Sequence, residues 1–119
     1  MKKQHLASAF AASVFALSLA VLVALSAPPA KQTFTGTITD DMCPKADHSR
    51  MQMGPTDAEC ARACADIHGA SYVLYDGKNI YMLSDQKTSE KFAGQKVKVV
   101  GTLDPKTGSI QVDSIAPDK

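Results

Sequence analysis

The sequence lacks most of the patterns that would name a reaction. It has no Gly-x-Ser-x-Gly elbow and no glycine-rich phosphate loop, so it gives no sign of that kind of serine hydrolase or of a nucleoside triphosphate site. No Cys-x-x-Cys occurs. Cys60 and Cys64 are separated by three residues, which is not the thiol-redox spacing. Charge of one sign is not in excess: 13 basic against 12 acidic side chains leave a net charge of +1. Without Lys2 and Lys3 the balance is 11 against 12, net −1. A chain with no basic patch has nothing to hold a phosphate backbone, which argues against nucleic acid as a partner. Adjacent carboxylates such as Asp40 and Asp41 point to opposite faces of a strand and make poor acid–base partners. No catalytic residue and no enzymatic activity are expected.

The one long apolar run is N-terminal. Met1-Lys2-Lys3 precedes a stretch from Leu6 to Ala27 with small residues at its end, the make-up of a secretory signal. Ala24 and Ser26 suit the −3 and −1 positions, which places cleavage after Ser26. No cysteine follows the run, so a lipid anchor is not indicated. An uncleaved membrane anchor is the alternative, and the Ala and Ser content weakens it. The chain thus divides into a signal over 1–26, a linker over 27–32 with Pro28 and Pro29, and one domain over 33–116. The expected location is periplasmic or secreted, and the membrane is met only through the signal segment if it stays uncleaved. Such a compartment is oxidising, and cysteines there tend to pair.

The domain reads as mainly β. Phe34, Gly36 and Ile38 alternate with four threonines over Thr33–Asp40, as in a half-buried strand with a solvated threonine face; Gly36 suggests a bend. Residues 41–55 have no periodicity and read as a loop. Thr56 and Glu59 fit a capping box, which starts a helix over 57–68 that Gly69 ends. On it, Cys60, Cys64 and Ile67 form the expected buried stripe, with Arg62 and Asp66 able to pair on the wet side. Strands follow over 71–75 and 79–83, joined at Asp76-Gly77, a strong hairpin signal. A short helix over 85–93 ends at Gly94. Two more strands, 96–103 and 109–115, flank a turn at Asp104–Gly108 with Pro105 preset for it. Five strands with a helix between the third and fourth give the order of a five-stranded OB-like barrel, here with one or two short helices and a helix-bearing insertion (42–69) after strand 1.

The segments Gly36–Cys43, Asp57–Cys60 with Cys64, Tyr72-Val73-Leu74 and Val97–Leu103 together resemble a family of short exported bacterial proteins to which no activity is assigned. The resemblance spans most of the chain beyond the signal. It implies an exported, OB-like domain and says nothing of mechanism.

Chemistry is concentrated in the insertion. It holds all three cysteines (Cys43, Cys60, Cys64), Met42, Met51, Met53, His48 and His68. Three cysteines permit one internal disulfide and leave one thiol. Cys60 and Cys64 lie a helical turn apart, with Cβ atoms roughly 5–6 Å apart, whereas a disulfide wants roughly 3.5–4.5 Å. Cys43 is therefore the expected partner of Cys64, or of Cys60. Closing that loop of about 20 residues would stabilise the fold by roughly 3 kcal/mol in the chain-entropy picture. The same residues allow a metal site. Cys60, Cys64 and His68 recur every four residues, but one ion cannot reach from Cys60 to His68, about 12 Å along the axis. Cys60 with Cys64, or Cys64 with His68, completed by Cys43, His48, Met51 or Met53, would suit zinc or Cu(I). The plainer readings are that the methionines fill gaps, His68 complements the helix end and His48 is solvated. Tyr72, Tyr75 and Tyr81 offer either a small aromatic ligand face or cross-strand packing. The leading expectation is an exported binding or structural module stapled by a disulfide, needing no cofactor and meeting a small ligand or a protein. The alternative is a copper- or zinc-binding protein that uses Cys43, Cys60, Cys64, His68, Met51 and Met53.

Overall fold

Strand β1 (Gln32–Asp40) is shared between two neighbours, and that sharing sets the architecture. Its first half pairs antiparallel with β4 (Lys96–Asp104), from Gln32 opposite Gly101 to Thr37 opposite Lys96. Its second half pairs antiparallel with β2 (Tyr72–Tyr75), from Thr37 opposite Tyr75 to Asp40 opposite Tyr72. The handover falls beside Gly36, where a Cβ would run into the Tyr75 carbonyl oxygen. Only glycine permits that approach, so the bend expected there is a close crossing of two strands. This computed structural model describes residues 27–119. The expected signal segment, 1–26, lies outside the described residues.

The remaining strands complete a closed ring. β2 continues into β3 (Ile80–Leu83) through the Asp76-Gly77 turn. β3 runs parallel to β5 (Ser109–Pro117), with Leu83 opposite Ile110, and β5 returns antiparallel on β4 with a bulge at Val100/Gly101. The order around the ring is β1-β2-β3-β5-β4. The parallel step needs a crossover, which the second helix, α2 (Gln86–Lys91), provides. The first helix, α1 (Asp57–His68), lies in the insertion between β1 and β2. The chain is thus mainly β with two short helices.

The period-two face predicted for β1 is the inner face. Ile38 joins Leu74, Val97, Val99 and Ile110, all fully buried, with Leu83, Tyr72 and Ala93 around them. α1 adds Ala61 to this core, and α2 packs against β2. Cap chemistry matches the sequence. The Thr56 hydroxyl accepts from the Glu59 N–H at 3.2 Å and donates to its carboxylate at 2.8 Å, and Gly69 ends α1 in the left-handed region at φ 68°. Gly94 is also left-handed, at φ 76°, and lies against the start of α1: a Cβ would stand 2.7 Å from the Ala58 nitrogen. The approach to β4 is therefore keyed to the first turn of α1.

Four expectations need correction. Thr39 is buried, so the threonine face is solvated only along its earlier part; the Thr39 hydroxyl donates to the Cys43 carbonyl at 2.9 Å, under the loop that follows. Ile67 is 66% exposed, so the buried stripe of α1 stops at Cys64. Arg62 reaches α2 and donates to the Glu90 carbonyl at 3.3 Å, leaving Asp66 aside. Gln32 already pairs with Gly101, so the linker is shorter by that residue.

Candidate metal centre

Asp40 is the last residue of β1, and its parity puts it inside. It follows Phe34, Gly36 and Ile38 on the inner face and is fully buried at the end of the ring. A buried carboxylate needs partners, and the insertion supplies them. Oδ1 accepts from the Met42 N–H at 3.0 Å and the Cys43 N–H at 2.9 Å, a tight turn just past the strand. Oδ2 faces His48 Nε2 at 3.0 Å. The other ring nitrogen of His48, Nδ1, lies 3.2 Å from Oδ1 of Asp57, the first residue of α1. His48 is therefore held between the end of a strand and the start of a helix. It is 5% exposed, which corrects the solvated reading; its loop is aperiodic but folds inward.

Asp40, Cys43 and His48 each offer one ligand atom, all within 4.8 Å of one another. The thiols surround this group. Cys43 is half-buried, and burial raises its thiol above the usual value; the Asp40 carboxylate adds to the shift, with Cys60 and Asp47 behind it. Burial also raises Cys64, helped by the negative charge of Asp40 and by Cys43 and Cys60. Cys60 donates its S–H to the Gly54 carbonyl at 3.1 Å. All three cysteines are free thiols. The expected bond from Cys43 to Cys64 or Cys60 is not formed: Cys60 is turned to Gly54, Cys64 to Asp40, and Cys43 stands with the His48 group.

The metal residues read from the sequence separate here. Cys43 is in the cluster. Cys64 borders it through Asp40. His68 is exposed at the far end of α1 and takes no part. Met51 is exposed and Met53 half-buried, both in the loop. His48, read as one of the loop residues that could complete a site, is in the cluster, and Asp40 is the addition. Asp40 was legible as the next step of the inner-face alternation. The inward turn of His48 had no such signal, since it depends on Asp57 arriving from the next element.

The arrangement has a definite chemical demand. A neutral imidazole has one N–H, and two carboxylates face the two nitrogens of His48. With Nδ1–H donated to Asp57, the Nε2 lone pair points at an Asp40 oxygen 3.0 Å away. In the other tautomer Nε2–H donates to Asp40 and Nδ1 faces the more exposed Asp57, so a neutral ring serves one carboxylate and turns a lone pair toward the other, where a metal ion can bind. A carboxylate behind the far nitrogen is also the usual support of a metal-binding histidine. Compared with known protein families, curated proteins and solved structures, the chain matches none.

Proposed function

We propose that this chain is an exported module that binds a thiophilic divalent cation, zinc in class, through Asp40, Cys43 and His48 on an OB-like barrel. The observation that carries the reading is His48 set between Asp40 and Asp57 with the Cys43 thiol on the Asp40 side. Thiolate, imidazole and carboxylate together are a donor set that zinc takes. A divalent ion also stabilises the Cys43 thiolate against the burial and the negative neighbour that otherwise oppose it. The barrel reading is supported by the ring order and by α2 in the crossover before β4. Export is supported by the leader-like composition of residues 1–26. Among the described residues no helix is long and apolar enough to cross a membrane. A staple at Cys43 would consume the same thiol, so the metal-bound protein keeps Cys43 out of any disulfide.

Cobalt(II) tests this directly, as a spectroscopic substitute for zinc. The reduced protein takes up a single equivalent and shows thiolate-to-cobalt charge-transfer absorption. Cys43→Ser loses that absorption, while His68→Ala keeps it. A Cys43→Ser protein with an unchanged spectrum would overturn the reading, as would a wild type that binds no cobalt.

A further inference from the structure

Beside the Asp40–His48 pair the surface sinks into a depression of about 550 Å³, lined by Met42, Cys43, Lys45, Asp47, Arg50 and Met51 among others. Five large apolar side chains are exposed among the described residues, and two of them, Met42 at 42% and Met51 at 40%, line this one depression. The half-buried Cys43 thiol shares it with them. Neither methionine fills a core gap. Both are also held by their backbones: the Met42 N–H donates to Asp40 at 3.0 Å, and the Met51 N–H to the His48 carbonyl at 3.2 Å. The turns that shape the buried cluster therefore also fix the backbones of the two methionines that line the depression beside it.

We propose that Met42, Met51 and Cys43 form a second, softer site in this depression, and that it takes Cu(I). The inference rests on the preceding reading only in using Cys43 as a ligand. Thioethers are poor donors to zinc, whereas two thioethers with a thiolate match the softness of Cu(I). The two sites share one sulfur and differ in the rest: Asp40 and His48 lie inward, Met42 and Met51 outward. When Cu(I) binds, the Cys43 S–H bond breaks, an S–Cu bond forms and the proton leaves to solvent. Copper keeps its oxidation state, so no oxidant or reductant is needed. The two sites thus compete for Cys43, and copper loading excludes cobalt or zinc from that thiol.

The test compares wild type with a Met42→Leu/Met51→Leu double variant, both reduced and handled without oxygen. Cu(I) is competed against bicinchoninate, and cobalt(II) is titrated separately. Leucine keeps the volume and removes the sulfur at two exposed positions. The expected result is Cu(I) binding weakened by about tenfold or more, with the cobalt spectrum unchanged. Equal Cu(I) affinity in the two proteins overturns the inference and leaves the buried site standing. Loss of cobalt binding together with Cu(I) binding also overturns it, since the two sites would then not be separate. Methionine-dependent Cu(I) binding by a protein that takes no cobalt supports the outer site and sinks the inner one.

Discussion

Asp40 and Tyr72 lie opposite each other on β1 and β2, and they meet burial in different ways. The Asp40 carboxylate has two backbone N–H donors and a histidine. The Tyr72 hydroxyl is buried with no hydrogen-bond partner among the described residues, and burial, followed by the nearby Glu90 and Asp66 carboxylates, raises it above its usual value. A buried hydroxyl without a partner costs more than it returns, because its hydration is lost and nothing replaces it. Tyr72→Phe should therefore leave folding intact and raise stability by about 1 kcal/mol, read as a higher urea midpoint at an unchanged slope. A drop of similar size would show that the hydroxyl has a partner. The contrast also shows what single residues disclose in sequence. Asp40 sits one step beyond a clear alternation, at a position where a carboxylate is seldom buried. Its burial follows from partners in a loop that carries no period.

Elements were far more legible than contacts. Both helices, all five strands and the Thr56 and Gly69 caps follow from period and punctuation, because those signals are local. Ile67 shows where such reasoning stops: the helical period puts it beneath Cys60, but its side chain is exposed. The β2–β3 hairpin is the element whose local chemistry predicts a pH response. At its turn, Asp76 accepts from the Lys78 N–H at 2.8 Å, the Asn79 N–H at 2.6 Å and the Tyr81 hydroxyl at 3.3 Å. Those bonds, the Asn79 N–H first, hold its carboxyl below the ordinary value of 3.8. The unfolded chain therefore takes up this proton first as pH falls. The stabilisation from Asp76 is full above the ordinary carboxylate value and is lost as pH drops through the lowered native one. Asp76→Asn keeps an acceptor oxygen but cannot titrate. The wild type should be the more stable of the two at neutral pH, and the gap should narrow as pH falls below the ordinary carboxylate value of 3.8. A gap that stays constant over that range would mean the turn does not depend on the charge.

At the scale of the whole molecule, the insertion is what makes the metal a matter of folding as well as binding. The ring closes a small core, and domains of this size bury only roughly 60–65% of their unfolded surface. Residues 42–56 contribute no strand or helix to the fold. They are tied to it through Asp40 at the end of β1, Asp57 at the start of α1, and the Cys60 thiol on the Gly54 carbonyl. An ion on Asp40, Cys43 and His48 would join β1 to the loop, and α1 through Asp57, in the folded chain only. Because the unfolded chain does not assemble the site, binding adds to folding stability by mass action: about 2.7 kcal/mol when free metal is a hundred times its dissociation constant. For a domain of this length each kcal/mol moves the melting midpoint by about 4–8 °C. Zinc should therefore raise the midpoint by about 10–20 °C, and a chelator should reverse the gain. Cys43→Ser should melt near the metal-free wild type whether or not zinc is present. A zinc-dependent rise of the same size in Cys43→Ser would move the site away from Cys43. A wild type whose midpoint ignores both zinc and chelator would overturn the metal reading.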